Sequence, residues 1–98
     1  MIDLHNPSVD KLFSAILNLE SHEDCYRFFE DICTIKELQD ISQRLEIALL
    51  LSNGKSYQEI AAAVGASTAT IGRVNKCLAY GSGGYKAAIE KLSETEEA

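Results

Sequence analysis

Residues 56–78 read SYQEIAAAVGASTATIGRVNKCL, and this stretch decides the fold. Ser56 followed three residues later by Glu59 is a capping box, in which each side chain satisfies an orphan backbone N–H at a helix start. Ile60, Ala61 and Val64 fall on one helical face, and Gly65 stands where the chain must turn with positive φ, which glycine does without steric penalty. Ser67 is placed to cap a second helix, whose apolar stripe is Ile71, Val74 and Leu78. A small residue (Ala61) four positions before the glycine lets the second helix cross closely. A branched residue (Ile71) six positions after it packs back under the first. Those offsets are the packing signature of a helix-turn-helix, and the bland alternative is a helical hairpin within an all-α core.

The outward positions of the second helix are Thr68, Ala69, Thr70, Gly72, Arg73 and Lys76, and residues 60–84 contain no acid. The chain carries a net charge of −6, which by itself argues against nucleic acid. Its distribution argues otherwise. Residues 1–52 hold four bases and ten acids, residues 53–80 three bases and one acid, and residues 81–98 two bases and four acids, so the helix-turn-helix is the positive segment. Local attraction for phosphate is expected there, with modest and strongly salt-sensitive affinity.

Outward from that motif, the chain reads as helices throughout. Ser8, following Pro7, is expected to cap a first helix from about Val9 to Asn18. Ser21 with Asp24 caps a second, about His22 to Ile32, with Cys25, Phe28, Phe29, Ile32 and Cys33 as its buried face. Thr34 with Glu37 is another capping box, opening a helix of about eighteen residues that Asn53-Gly54 terminates. The far half of that helix is apolar nearly all round and must be enclosed on most sides, for which a second subunit is the plausible cover. Gly81-Ser82-Gly83-Gly84 is a connector. A last helix is expected from Tyr85 to Leu92, followed by a frayed acidic tail, SETEEA. No alternation supports a strand, so the fold is all-α with about six helices. The 98 residues form one domain, with residues 1–52 as dimerisation helices, 56–80 as the helix-turn-helix and 81–98 as linker, last helix and tail.

Several functions are disfavoured. His22 and Cys25 share a helix face, but two ligands do not close a metal site. The GSGG segment lacks the lysine and hydroxyl of a phosphate loop, and no nucleophile is paired with a base, so neither enzyme nor cofactor chemistry is expected. There is no secretory signal or long apolar run, and three widely spaced cysteines fit a reducing cytoplasm; a cytoplasmic protein that does not engage the membrane is expected.

Residues 28–92 resemble the trp repressor superfamily, and within it the trp-repressor-related YerC/YecD family. The resemblance runs through FFEDICTIKELQDISQRLEIALLL, NGKSYQEIAAAVGASTATIGRVNKCL and YGSGGY, with Ala69 to Arg73 as its most specific piece. It implies an intertwined homodimer that presents two helix-turn-helix units to successive major grooves of double-stranded DNA, as a transcriptional regulator, most simply a repressor. Carried over by position, Thr68, Ala69 and Thr70 would face base edges, Gln58, Ser67 and Lys76 would meet phosphates or the groove edge, and Arg73 a phosphate. In the trp repressor two arginines flank a tryptophan co-repressor. Arg73 matches one; the other falls on Glu46, an acid, with Arg44 two residues away, which argues against a tryptophan-like co-repressor. A protein-interaction module that keeps the helix-turn-helix as a scaffold is the alternative function.

Overall fold

The computed structural model describes residues 4–97, with side chains up to Thr95. Six helices follow one another: α1 (Pro7–Leu17), α2 (His22–Ile32), α3 (Ile35–Ser52), α4 (Tyr57–Val64), α5 (Thr68–Tyr80) and α6 (Gly84–Glu97). The described residues contain no strand.

The chain divides into two compact units, residues 1–38 and 39–98. In the first, α1 is capped by Asn6, whose side chain accepts the Val9 N–H at 3.0 Å, rather than by Ser8. Pro7 explains the shift. Its fixed φ and missing N–H suit the first helical position, so the residue before it becomes the cap and the helix ends at Leu17. Ser21 caps α2 as the spacing predicts, accepting the Asp24 N–H at 3.1 Å, while Asp24 accepts the Glu20 N–H. Thr34 and Glu37 form their reciprocal pair ahead of α3, at 3.1 and 2.8 Å. Hydrogen bonding to its carboxylate, from the Thr34 backbone N–H first and the Thr34 side chain second, holds the Glu37 carboxyl below the ordinary glutamate range.

Neither α1 nor α2 has a fully buried residue. The apolar face expected of α2 exists as a face, but Cys25, Phe28, Phe29 and Cys33 are half-buried and Ile32 is 51% exposed. Leu17 and Ile35 are 83% and 80% exposed. Two helices of eleven residues present more apolar surface than they can cover on each other.

The second unit holds the core. Ile47 and Ala48 of α3, Ile60 of α4, and Ile71 and Val74 of α5 are buried together, with Leu50, Leu51, Ala61, Val64, Tyr85 and Ile89 around them. α3 ends in a Schellman motif: Gly54 takes φ +80°, its N–H reaches the Leu51 carbonyl at 3.0 Å, and the Lys55 N–H reaches Leu50 at 3.1 Å. α6 is longer than the apolar pattern implies. Glutamate is a good helix former, and the segment expected to fray continues the helix to Glu97. Ala98 lies outside the described residues.

Candidate nucleic-acid interface

The reciprocal bonds of the Ser56–Glu59 box start α4. The Ser56 hydroxyl accepts the Glu59 N–H at 3.1 Å, and the Glu59 carboxylate accepts the Ser56 N–H at 3.3 Å. Hydrogen bonding to its carboxylate, from the Ser56 backbone N–H first and the Ser56 side chain second, holds the Glu59 carboxyl below its usual range. At the other end Gly65 sits at φ +72°, ψ +22°, and its N–H closes on the Ala61 carbonyl at 2.9 Å, the single-bond left-handed cap. Ala66 carries the chain to Ser67, whose hydroxyl accepts the Thr70 N–H at 3.2 Å and starts α5.

Ile71 and Val74 go inward, and Leu78 is half-buried on the same face. The opposite face of α5 carries Ala69, Arg73 and Lys76 at i, i+4 and i+7, all exposed, with Thr68 and Ser67 exposed at its N-terminal end. Gln58 is exposed on the first turn of α4. Thr70 differs from its neighbours: it is half-buried, and its hydroxyl shares a 3.1 Å hydrogen bond with that of Ser67. The two hydroxyls therefore satisfy each other first. Among the described residues no acid lies within 4 Å of Arg73 or Lys76, whereas Lys55 stands 4.0 Å from Glu59. The positive charge of this face is thus carried mainly by α5. At about 1.5 Å per residue, α5 is roughly 20 Å long, long enough to lie along a stretch of major groove.

Three residues gain a place that the sequence does not announce. Tyr57 stands over Gly72, its ring about 3.9 Å from where a Cβ on that glycine would lie. Gln43 of α3 donates its side-chain N–H to the Val64 carbonyl at 3.1 Å. Arg44 lines an open, mostly apolar groove of about 580 Å³ with Ile41, Leu45, Cys77, Tyr85 and Ala88. Residues 41, 44 and 45 share a helical face, so the charged group on the groove is Arg44, while Glu46 points elsewhere and is exposed. The signal for Gln43 was a polar residue four positions before Ile47, on the face that becomes core.

No group of three or more metal-ligating side chains gathers among the described residues, and none of their helices is long and apolar enough to cross a membrane. The cysteines are unpaired: Cys25 and Cys33 half-buried, Cys77 exposed.

Similarity to known proteins agrees with the geometry. The family model described as Trp repressor protein matches residues 7–93. YerC, an uncharacterized protein of Bacillus subtilis (strain 168), is 50% identical over 93 residues, spanning 95% of this chain and 89% of its own. A TrpR-like protein from Eubacterium eligens ATCC 27750 superposes with a TM-score of 0.89 at 48% identity, covering 92% of this chain and 93% of that one. A putative Trp repressor from Staphylococcus aureus gives 0.88 at 43% identity, covering 92% and 90%. With six helices, a capped helix-turn-helix and a family match spanning nearly its whole length, the chain belongs to the Trp repressor family, a family of DNA-binding regulators and not of enzymes.

Proposed function

We propose that the protein is a homodimeric, sequence-specific DNA-binding transcriptional regulator acting as a repressor by occupying its operator. The observation that carries this reading is the exposed face of α5. A capped helix, fixed at its start by the left-handed turn at Gly65, presents Thr68 and Ala69 near its N-terminus and Arg73 and Lys76 behind them, within a stretch without acids. Short side chains near the helix start suit base edges, and the two cations suit phosphates. Gln58 on α4 and the backbone N–H groups at the start of α5 are further phosphate donors, while the Ser67–Thr70 hydroxyl pair shapes the start of the reading helix.

The dimer follows from α1, α2 and the start of α3. Phe13, Leu17, Tyr26, Ile32 and Ile35 are each more than half exposed, and so many large apolar side chains left uncovered on these short helices favour an interface. A second copy covers it, and a two-fold pair of reading helices then matches an operator of the same symmetry. The cytoplasm is the compartment where such a regulator meets DNA and where free thiols persist.

A binding titration on mixed duplex DNA at several salt concentrations tests the reading. Affinity is expected to fall steeply as salt rises, and Arg73→Ala to weaken binding on every sequence and reduce the slope by about one counterion. Binding that hardly responds to salt would instead mark an apolar protein-docking surface.

A further inference from the structure

We infer that Gln43 is the positioning residue that sets the register of the helix-turn-helix on α3, and that operator recognition, as read above, depends on it. The last carbonyls of a helix have no partner within it. At the end of α4 the Gly65 N–H satisfies Ala61, and the Gln43 amide satisfies Val64, the final residue of the helix, at 3.1 Å across 21 positions of sequence. Around that bond α3 and the motif share an apolar cluster, in which Ile47 and Ala48 are buried with Ile60, Ile71 and Val74, and Leu50 and Leu51 pack against them. Close packing of that cluster sets how the helices fit, but apolar burial is itself non-directional, and the Gln43 bond adds a directional restraint at the end of α4. A hydrogen bond weakens steeply as its angle closes, and so selects one arrangement.

The position of that bond matters more than its strength. From the Val64 carbonyl the chain passes through Gly65 and Ala66 to Ser67, the cap of α5. Gln43 lies one turn before Ile47 on the same face of α3, so its amide and the buried core grip the motif at adjacent points. Fixing the C-terminus of α4 therefore fixes where α5 begins, and with it the side chains offered to a base pair. Phosphate contacts tolerate small shifts, whereas base contacts do not.

Gln43→Met retains the length and packing of the side chain and removes the donor, and Gln43→Glu places a carboxylate against the carbonyl. The test combines amide hydrogen exchange on the full-length protein with binding to two duplexes of equal length, one enriched by the wild type from a random pool and one of unselected sequence. For Gln43→Met, protection is expected to fall about fivefold at Gly65, Thr70 and Ile71, the loss of one net hydrogen bond, and to stay unchanged at Ala48 and Val74. The ratio of affinities for the enriched and unselected duplexes is expected to fall by a similar factor, with unselected binding unaltered. Gln43→Glu should lower that ratio further. Unchanged protection at the turn, or an equal loss across all helices, would overturn the assignment, the second because it marks a contact of general stability only. If the wild type enriches no duplex, the reading of DNA recognition fails, and the exchange pattern alone decides whether Gln43 sets the register.

Discussion

Gly65 and Gly72 lie seven residues apart in the same motif, and replacing each with alanine should move stability in opposite directions. At Gly65 an added Cβ meets nothing within 4 Å, so the whole effect is backbone. The left-handed conformation at φ +72° disfavours a side chain by about 1–2 kcal/mol, partly offset by the roughly 0.4–1 kcal/mol that alanine removes from the entropy of the unfolded chain. A net destabilisation of about 1 kcal/mol follows. Gly72 sits within α5, and the Cβ there would touch the Tyr57 ring at 3.9 Å, an ordinary contact. Alanine in a helix interior is favoured over glycine by about 0.5–1 kcal/mol, so Gly72→Ala should stabilise by that amount. For a chain of this size each kcal/mol shifts Tm by about 4–8 °C, so thermal unfolding resolves the pair, provided protomer concentration is held fixed. A drop for one variant and a rise for the other is expected. Equal shifts of the same sign would show that backbone conformation does not control the two positions, since the substitution is the same and only φ and one ordinary contact with Tyr57 differ.

Other perturbations follow from the same structure. Ile60→Ala or Ile71→Ala should each destabilise by about 2–5 kcal/mol in chemical denaturation, since both side chains are fully buried. Because folding depresses the carboxyl groups of Glu37 and Glu59, the stability of both capping boxes is present above the ordinary glutamate pKa. It is lost as pH falls through the lower folded value; Glu37→Gln and Glu59→Gln should flatten the acid limb of a pH–stability profile, and an unaltered limb would contradict this. Ile35→Asp or Leu17→Asp, each placing a charge on an apolar patch, should halve the mass measured by sedimentation if a second copy covers those residues. Thr70→Val, which removes the hydroxyl bonded to Ser67, should change base preference at one operator position and leave binding to unselected DNA unaltered.

The parts of this protein legible in its sequence are those whose determinants are local. The boxes at Thr34–Glu37 and Ser56–Glu59, the cap at Ser21 and the turn at Gly65 each depend on residues within one helical turn, and each has the expected bonds. The start of α1 departs from the expected Ser8 cap: Pro7 takes the first helical position, which makes Asn6 the cap. The tail reads as acidic and frayed by composition, yet its glutamates are good helix formers and α6 runs on to Glu97. Tertiary register is the limit of what periodicity can say. It identifies the apolar face of α2 but not what covers it, and on α3 it does not reveal that Arg44, not Glu46, borders the groove beside Cys77 and Tyr85. The Gln43 bond to Val64 is invisible for the same reason, joining residues whose separation only folding closes.

If α5 reads DNA as one of a symmetric pair, the protein should select a sequence of the same symmetry. Selection of bound fragments from random duplex DNA at low salt, with Arg73→Ala as control, tests it most directly. The predicted result is a two-fold symmetric sequence whose half-sites lie about one helical turn, roughly 34 Å, apart, enriched by the wild type and lost in the variant. A folded dimer that enriches no sequence, or an asymmetric site bound equally by both proteins, would contradict it.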